Sequence, residues 1–242
     1  MFATDRELPA PETGGKRERV RGMFAAIAPR YDLLNHVLSL NIDRVWRRRA
    51  VAQLGWERVP EGTYLDICSG TMDLAAALGG LPGFAGRVIG ADFVHEMLVR
   101  GRLKSPRIVA LAADALDLPF SDRRFDGATV GFGVRNLVDL DQGLREAARV
   151  LKPGAKLVIL EFTIPPRRPL RTAYLAYFTR VLPAIGRLVS KHRTAYTYLP
   201  ESVLSFPSPE ELAQRMRDTG FEGVEYCAMT GGICAWHVGT RI

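Results

Sequence analysis

The spacing of apolar residues changes near residue 60 of this 242-residue chain. Between residues 20 and 54, apolar side chains recur at intervals of three and four, which predicts two or three helices. From residue 63 onward, short apolar runs alternate with stretches of helical spacing. The runs predict strands at 63–68, 87–92, 108–113, 125–132 and 156–163, and the stretches predict helices at 73–80, 95–103 and 140–151. This alternation predicts an α/β fold with a doubly wound parallel sheet.

The last third of the chain ends in a hairpin pattern. A predicted helix at 208–219 is followed by strands at 222–229 and 233–240, and only Gly231 and Gly232 lie near their junction. Strands joined this closely must be antiparallel. The complete prediction is a Rossmann-like sheet of seven strands with an antiparallel last strand. That arrangement resembles class I S-adenosylmethionine-dependent methyltransferases, whereas dinucleotide oxidoreductases usually continue with another parallel strand.

These patterns divide the chain into three parts. Residues 1–18 are polar and contain Pro and Gly, so we expect a flexible N-terminus. Residues 19–54 are expected to form a helical lid that precedes the sheet. Residues 55–242 form the main domain, with an amphipathic helical insertion at about 165–200.

Composition and charge narrow the class of protein. Hydrophobic residues make up 47% and charged residues 24%, as in ordinary globular proteins. There is no apolar run long enough to span a membrane and no apolar signal core, so we expect a cytoplasmic protein. The three cysteines lack metal-site spacing, so we expect them to stay reduced and predict no metal. The net charge is +7, and residues 162–200 contain seven Lys or Arg and no acid. This local excess indicates a basic surface.

Acidic residues lie at or just after the carboxyl ends of three successive predicted strands, where ligands bind in a doubly wound sheet. The first group runs from Asp66 to Asp73 and includes Gly70 and Thr71; the second is Asp92; the third is Asp114 with Ala115. Gly70 permits close approach of the backbone, Asp92 is placed to accept from ribose hydroxyls, and Asp114 is placed to accept from an adenine amino group. The acids suit a cofactor that carries a positive sulfonium. Each acid taken alone could instead cap a helix or a turn.

Met72 lies in this turn, where a small residue is more common. A right-handed backbone there would cost almost nothing, and a left-handed one about 1–2 kcal/mol. A micromolar cofactor is bound with about 8 kcal/mol. We therefore expect the turn to bind its ligand despite Met72, whereas Gly70 is indispensable.

The chain resembles the quinone-ring C-methyltransferases, which methylate demethylmenaquinol or methoxy-polyprenyl-benzoquinol. The matching segments include YDLLNHVLSLNIDRVWRR (31–48), LDICSGTMDLA (65–75), DALDLPFSDRRFD (114–126), GFGVRNLVDLDQGLREAARVLKPGAKLVILEF (131–162) and MTGGICAWHVG (229–239). The resemblance implies that S-adenosylmethionine is the cofactor and that Thr71, Asp92, Asp114 and Ala115 bind it. A further position, often Ser in the family, is Gly131 here. The family commonly has glycine where this chain has Met72.

The implied reaction is attack of an aromatic ring carbon on the sulfonium methyl group. Such a carbon is nucleophilic when a neighbouring hydroxyl is ionised, and a phenol has a pKa of about 10. Arg135 would stabilise the phenolate, and Asn136 would orient its oxygen or a water. The alternative is an ion pair from Arg135 to Asp139 and a helix cap by Asn136. Tyr31 is expected in a lid over the cofactor or in the core.

Residues 170–189 form an amphipathic helical pattern in which Pro183 is expected to introduce a kink. The apolar face suits a polyprenyl tail or packing on the sheet. The basic residues of segment 165–193 suit peripheral contact with the inner face of a membrane, at about 1 kcal/mol for each Lys or Arg.

Other functions compete with a prenylated quinol methyltransferase. A nucleic-acid methyltransferase fits the basic charge, but the turn 131–134 is not Asn/Asp-Pro-Pro-aromatic and no Pro-Cys nucleophile is present, so we expect no nucleic-acid partner. A nicotinamide oxidoreductase lacks its glycine fingerprint. A non-enzymatic binding subunit and a methyltransferase for another phenol remain alternatives. The choice between menaquinol and ubiquinol precursors and the oligomeric state, including a homodimer, are left open.

Overall fold

A computed structural model describes residues 15–181 and 193–242 of the chain. They include a seven-stranded sheet with the order β3-β2-β1-β4-β5-β7-β6. Its strands are β1 (Thr63–Ile67), β2 (Arg87–Asp92), β3 (Ile108–Ala112), β4 (Phe125–Gly131), β5 (Leu151–Phe162), β6 (Phe221–Met229) and β7 (Cys234–Arg241). Strands β1 to β5 pair in parallel, and β7 pairs antiparallel with β5 and β6. The predicted sheet with its antiparallel last strand is confirmed.

Helices precede the sheet and connect its strands. In the described residues they are α1 (Lys16–Ile27), α2 (Tyr31–Leu38), α3 (Asp43–Val51), α4 (Asp73–Gly79), α5 (His95–Gly101), α6 (Leu140–Val150), α7 (Arg168–Ala176), α8 (Arg193–Leu204) and α9 (Pro209–Asp218). Helix α7 continues into a π-helical turn, Tyr177–Val181. Ser208 begins α9 with a capping box to Glu211.

Strand β5 and helix α1 begin earlier than the sequence predicts. Strand β5 begins at Leu151, five residues before the predicted start at 156, because Leu151 pairs with Phe125 ahead of a break in register, after which Lys156 pairs with Gly127. Helix α1 begins at Lys16, so residues 16–18 of the predicted flexible N-terminus are helical. The rest of that N-terminus, residues 1–14, and the predicted kink at Pro183 lie outside the described residues.

The core lies on both faces of the sheet. Trp46 of α3 and Leu78 of α4 pack on one face, and Leu144 of α6 and Met216 of α9 pack on the other. Because both faces are covered, the central strands consist of nearly continuous apolar runs. The hydrophobic effect thus holds the carboxyl ends of β1, β2 and β4 in fixed relative positions.

Candidate functional site

A cleft of about 760 Å³, counting the space open to solvent, lies beyond the carboxyl ends of β1, β2 and β4. Strand order reverses beside β1, which is where doubly wound sheets bind ligands. Five of the predicted cofactor residues line this cleft: Tyr31, Gly70, Asp92, Asp114 and Ala115. We call it the cofactor cleft.

The turn after β1 is fixed by Asp92. One carboxylate oxygen of Asp92 accepts from the backbone N–H of Gly70 at 2.8 Å, and the other accepts from Val94 at 2.8 Å. Burial raises the pKa of this carboxyl, and the N–H donors oppose the rise. Gly70 has a φ of 52°, in the left-handed region where glycine is favoured. The turn therefore has the backbone that close contact with a ligand requires.

Met72 has a left-handed backbone, with a φ of 64°, and its side chain is fully buried. The side chain lies between two glycines of the core. A Cβ on Gly90 of β2 would lie 3.0 Å from the Met72 Cγ, and one on Gly101 of α5 would lie 2.7 Å from it. Met72 is not among the residues that line the cofactor cleft. Its cost therefore falls on folding, and the contact surface for the cofactor is left intact.

Asp66 and Thr71 lie behind the turn and do not line the cleft. Asp66 accepts from the hydroxyl of Thr129 at 2.8 Å and from the backbone N–H of Ala75 at 3.2 Å. Burial raises the pKa of Asp66 to about 7. The hydroxyl of Thr71 donates to Asp32 of α2. Both side chains therefore support the cofactor turn from its buried side.

Helix α1 covers the end of the cleft that contains Asp114. Arg17 forms an ion pair with Asp114 at 2.7 Å, and Lys16 donates to the backbone carbonyl of Leu137 at 2.7 Å. Val20 and Phe24 of the same helix line the cleft. Periodicity predicted the helix, but it contains no motif that identifies Arg17 as part of this site.

A second cavity, of about 1980 Å³ including the space open to solvent, lies beside the cofactor cleft. We call it the apolar chamber, because most of its wall is aliphatic or aromatic. It is lined by Met23, Phe24, Ile27, Tyr31, Asn35, Ser39, Leu40, Ile42, Asp43, Trp46, Arg47, Phe132, Arg135, Phe162, Leu170, Ala173, Tyr174, Tyr177, Phe178, Tyr198, Leu199, Thr230 and Ile233. Phe24, Tyr31 and Phe132 line both cavities, so the two spaces meet at these rings. Burial raises the pKa of Tyr31.

Arg135 lies in the wall of the apolar chamber. Its guanidinium forms an ion pair with Glu161 at 2.8 Å, donates to the carbonyl of Phe132 and lies 5.6 Å from the centre of the Phe162 ring. Among the described contacts its acidic partner is Glu161, whereas Asp139 caps α6 through Gln142. The alternative Arg135–Asp139 ion pair is therefore wrong.

Asn136 follows Arg135 in a short 3₁₀ turn, Val134–Asn136, and lines the cofactor cleft. Its side-chain oxygen accepts from the hydroxyl of Tyr198 at 3.1 Å. This oxygen accepts from a residue of another helix. The alternative role of Asn136 as a helix cap is therefore not observed. Arg135 and Asn136 thus occupy the two cavities on either side of their junction.

Sequence reasoning missed Glu161, which is fully buried near the end of β5. Burial raises the pKa of its carboxyl, and Arg135 opposes the rise. A carboxylate directly after the apolar run 157–160 of a central strand is rarely buried unless it is paired, so this position was the available signal. Glu161 fixes the guanidinium of Arg135 against the chamber wall.

A second ionic cluster lies at the base of α2 and α3 and was also missed. Buried Asp43 accepts from Ser39 at 2.6 Å and contacts His36 and Arg47. Arg47 also reaches Asp73 at the start of α4. Its guanidinium lies 5.5 Å from the centre of the Phe132 ring. The ammonium group of Lys104 forms ion pairs with both Asp73 and Asp32 of α2 and so links them. The cluster ties the N-terminal helices to the cofactor turn.

His237 is buried in β7 and its Nε2 contacts the carbonyl of Pro209 at 2.9 Å, a contact within the fold. No group of acidic, His and Cys side chains able to hold a metal occurs among residues 15–181 and 193–242. Within the same ranges, no helix has the length and apolar character needed to cross a membrane.

The model of the ubiE/COQ5 methyltransferase family matches residues 12–241. A protein of Geobacter sp. (strain M21) named ubiquinone/menaquinone biosynthesis C-methyltransferase UbiE is 45% identical over 232 residues, covering 93% of this chain and 97% of the relative. A demethylmenaquinone methyltransferase of Thermus thermophilus is 48% identical over 224 residues, covering 90% of this chain and 100% of the relative.

Solved structures support the fold. A Thermotoga maritima S-adenosylmethionine-dependent methyltransferase, a possible histamine N-methyltransferase, has a TM-score of 0.65 and covers 92% of this chain and 99% of its own. Its sequence identity of 21% means that this likeness concerns architecture alone.

Proposed function

Because this chain belongs to the ubiE/COQ5 methyltransferase family, we propose that it transfers a methyl group from S-adenosylmethionine to a ring carbon of a prenylated quinol. Relatives named for ubiquinone/menaquinone biosynthesis and for demethylmenaquinone methylation support this substrate class. The product would be menaquinol, or the methylated ubiquinol precursor, in respiratory quinone biosynthesis.

The observation that carries the proposal is the junction of the two cavities at Tyr31 and Phe132. One cavity has carboxylates and a left-handed glycine turn, which suit a nucleoside with a sulfonium. The other is large and apolar, which suits a ring with a polyprenyl tail. A methyl donor in the first and a ring in the second would face each other at this junction.

The residues present fit the cofactor. Asp92 and Asp114 have carboxylate oxygens at the cleft, and Asp92 keeps lone pairs beyond the two that accept from Gly70 and Val94. When bound, the cofactor supplies an electrophilic methyl group on positive sulfur. The acids that face it favour a cation and disfavour a pyrophosphate.

The chain's own residues prepare the ring. Arg135 stabilises negative charge on the ring oxygen, which makes the adjacent carbon nucleophilic. Asn136 orients that oxygen or a water next to it. The ring carbon gains the methyl group and loses its proton to solvent, and S-adenosylhomocysteine leaves. The buried carboxylate of Glu161 holds the guanidinium in one position, so little reorganisation is needed.

We also propose that α1 to α3 form the lid expected from sequence. Three contacts support this proposal. Arg17 forms an ion pair with Asp114, the hydroxyl of Thr71 donates to Asp32, and Arg47 forms an ion pair with Asp73. These contacts join the lid to the residues that follow β1 and β3. The Arg17–Asp114 pair is exposed on the arginine side, so α1 can open and close at low cost, whereas the buried Arg47 holds α3 in place.

The test is a pair of measurements on the purified protein. Calorimetric titration with S-adenosylmethionine and S-adenosylhomocysteine should show micromolar binding of both. Incubation with a short-tail demethylmenaquinol should then give the methylated ring, whereas the oxidised quinone should not react because its carbon is not nucleophilic. Cofactor binding with methylation only of an untailed phenol would favour the alternative substrate class. Absence of cofactor binding would favour a non-enzymatic binding subunit.

A further inference from the structure

The wall of the apolar chamber includes a buried hydroxyl that lacks a hydrogen-bond partner among the described residues. It belongs to Tyr174 of α7, whose side chain lines the chamber and which is 6% exposed. The hydroxyl oxygen is also out of contact with solvent. Buried tyrosine hydroxyls usually have a partner, because an unsatisfied buried polar group costs free energy. The exception at Tyr174 therefore requires a physical explanation.

Two other tyrosines show how this protein satisfies such a hydroxyl. Tyr198, in the same chamber, donates to the side-chain oxygen of Asn136 at 3.1 Å. Tyr64, buried in β1, donates to two backbone carbonyls at 3.2 and 2.9 Å. Burial raises the pKa of Tyr174, and the positive charge of Arg135 opposes the rise. The phenol of Tyr174 therefore keeps its proton at neutral pH and can donate a hydrogen bond.

A series of aromatic contacts connects Tyr174 to Arg135. The guanidinium of Arg135 lies 5.6 Å from the centre of the Phe162 ring. The centre of the Phe178 ring lies 6.2 Å from that of Phe162 and 4.4 Å from that of Tyr174. The Nε of Arg135 is also buried and lacks a hydrogen bond among the described residues. Tyr174 lines the chamber but not the cofactor cleft, whereas Asn136 lines the cleft.

A 1,4-quinol has two oxygens on opposite sides of its ring, and the proposed function uses only one of them. The reacting carbon lies next to the first oxygen, which Arg135 and Asn136 contact near the cofactor cleft. The second oxygen then lies on the side of the ring that faces away from the cofactor, inside the apolar chamber. An oxygen buried in apolar surroundings also needs a hydrogen-bond partner. The unpartnered hydroxyl and the second ring oxygen can therefore satisfy each other.

We propose that the hydroxyl of Tyr174 donates a hydrogen bond to the second ring oxygen of the quinol and so selects 1,4-diols over monophenols. The inference rests on the proposed function, because it requires a quinol ring in the chamber. The reacting carbon is meta to the second oxygen, so this hydrogen bond has little influence on the nucleophilicity of the carbon. Tyr174 thus binds the substrate equally well before and during methyl transfer, which affects KM and not kcat.

Steady-state kinetics with two compounds test the proposal. The first is short-tail demethylmenaquinol, and the second is its analogue without the hydroxyl opposite the reacting one. The unchanged protein should have a KM roughly 10-fold lower for the diol, because the analogue leaves the hydroxyl of Tyr174 unpaired. Tyr174→Phe should raise the KM for the diol roughly 10-fold and change the KM for the analogue less than about 2-fold. The kcat for each compound should stay within a few-fold.

Urea unfolding without ligand separates a substrate contact from a structural one. Tyr174→Phe removes a hydroxyl that has no partner among the described residues, so its unfolding midpoint should be unchanged or higher. Tyr64→Phe is the matched control, because it removes a buried hydroxyl that donates to two carbonyls. It should lower the midpoint and leave both KM values unchanged. A loss of stability in Tyr174→Phe as large as that in Tyr64→Phe would show that the protein itself uses the hydroxyl, and would overturn the proposal.

Two kinetic outcomes contradict the role of Tyr174. Equal KM values for the diol in the unchanged protein and Tyr174→Phe would mean that the hydroxyl does not contact the substrate. A similar fall in kcat for both compounds would place the hydroxyl at the reacting oxygen instead of the second one.

Anaerobic calorimetric titration with the same two compounds separates this proposal from the proposed function. If the unchanged protein methylates the diol and Tyr174→Phe binds it equally well, the role of Tyr174 alone is wrong. The unchanged protein could instead methylate neither compound but bind the diol more tightly than the analogue. If Tyr174→Phe then removes that difference in affinity, the proposed function is wrong and Tyr174 still recognises the second oxygen.

Discussion

The cofactor cleft and the apolar chamber share Tyr31 and Phe132 but are assembled differently. Apart from α1 and Tyr31, the cleft is lined by residues between 68 and 138, most of which follow the ends of strands. The chamber is lined by residues scattered from 23 to 233. Of the acids in the cleft, Asp92 accepts from backbone N–H groups and Asp114 pairs with the exposed Arg17, whereas the acids at the chamber pair with buried arginines in or behind its wall. Cofactor recognition is therefore mainly local in sequence, and substrate recognition is tertiary.

Arg135→Ala should give the largest difference between the effect on methyl transfer and the effect on cofactor affinity. Methyl transfer should fall roughly 100- to 1,000-fold, because one preorganised donor to developing negative charge is lost. Affinity for S-adenosylmethionine should remain, since Arg135 does not line the cleft. Single-turnover kinetics with a short-tail quinol and calorimetry with the cofactor measure the two effects. Unchanged turnover would remove Arg135 from the mechanism.

The same variant leaves Glu161 buried without its guanidinium, which should lower the free energy of unfolding by about 3–5 kcal/mol. The double variant Arg135→Ala/Glu161→Gln removes both charges and should recover part of that stability. It should not recover methyl transfer. Recovery of both would mean that Arg135 acts through folding alone.

The free energy of unfolding should depend on pH through Asp66, which lies behind the cofactor turn. Its pKa is raised from 3.8 to about 7 in the folded protein, so its contribution to stability is fully present below pH 3.8 and is lost as pH rises toward 7. The loss is at most about 4 kcal/mol. His237, whose pKa is lowered to about 4, has the opposite effect, losing stability as pH falls below about 6.5.

Urea unfolding of the unchanged protein and of Asp66→Asn between pH 4 and 8 measures this contribution. Because His237 is present in both proteins, its effect cancels in the difference between the two curves. That difference should change by up to about 4 kcal/mol across the range, in the direction that favours Asp66→Asn as pH rises. A difference that does not vary with pH would show that Asp66 titrates normally in the fold.

The contrast between the regions also explains how much could be predicted from sequence. The sheet was predictable because buried parallel strands leave continuous apolar runs and because Gly231 and Gly232 require a hairpin. Gly70, Asp92 and Asp114 were predictable because each follows a strand end. Glu161 was not, because its partner Arg135 follows a different strand. Asp43 and Arg47 are one turn apart in α3, but the sequence alone does not show that this pair is buried. The arginine partner of Glu161 could be identified only after β4 and β5 were placed side by side.

Met72→Gly should show that Met72 affects the stability of the fold and has little effect on cofactor binding. Relief of the left-handed backbone should stabilise by about 1–2 kcal/mol, and loss of the buried side chain between Gly90 and Gly101 should cost about 2–5 kcal/mol. We expect net destabilisation of about 1–3 kcal/mol by urea unfolding. Cofactor affinity should stay within a few-fold, because the side chain does not line the cleft.

Met72→Ala is the matched control, because it empties the same space but keeps a Cβ in the left-handed region. It should be less stable than Met72→Gly by about 1 kcal/mol. If Met72→Gly were instead more stable than the unchanged protein, the segments around Gly90 and Gly101 would have moved together and filled the space left by the Met72 side chain. If either variant lost cofactor binding, the turn would depend on Met72 for its shape.

Arg17→Ala should give the smallest effect, at the point where a residue of the proposed lid reaches the cofactor cleft. The pair with Asp114 is largely exposed on the arginine side, so its loss should change the free energy of unfolding by less than about 1 kcal/mol. If α1 covers the bound cofactor, S-adenosylhomocysteine should dissociate a few-fold faster, as measured by stopped-flow displacement. Arg21→Ala, an exposed position one turn further along α1, controls for the loss of positive charge. Equal dissociation rates for the two variants would show that Arg17 does not hold the lid closed, and the cofactor would then depend on the local residues of the cleft alone.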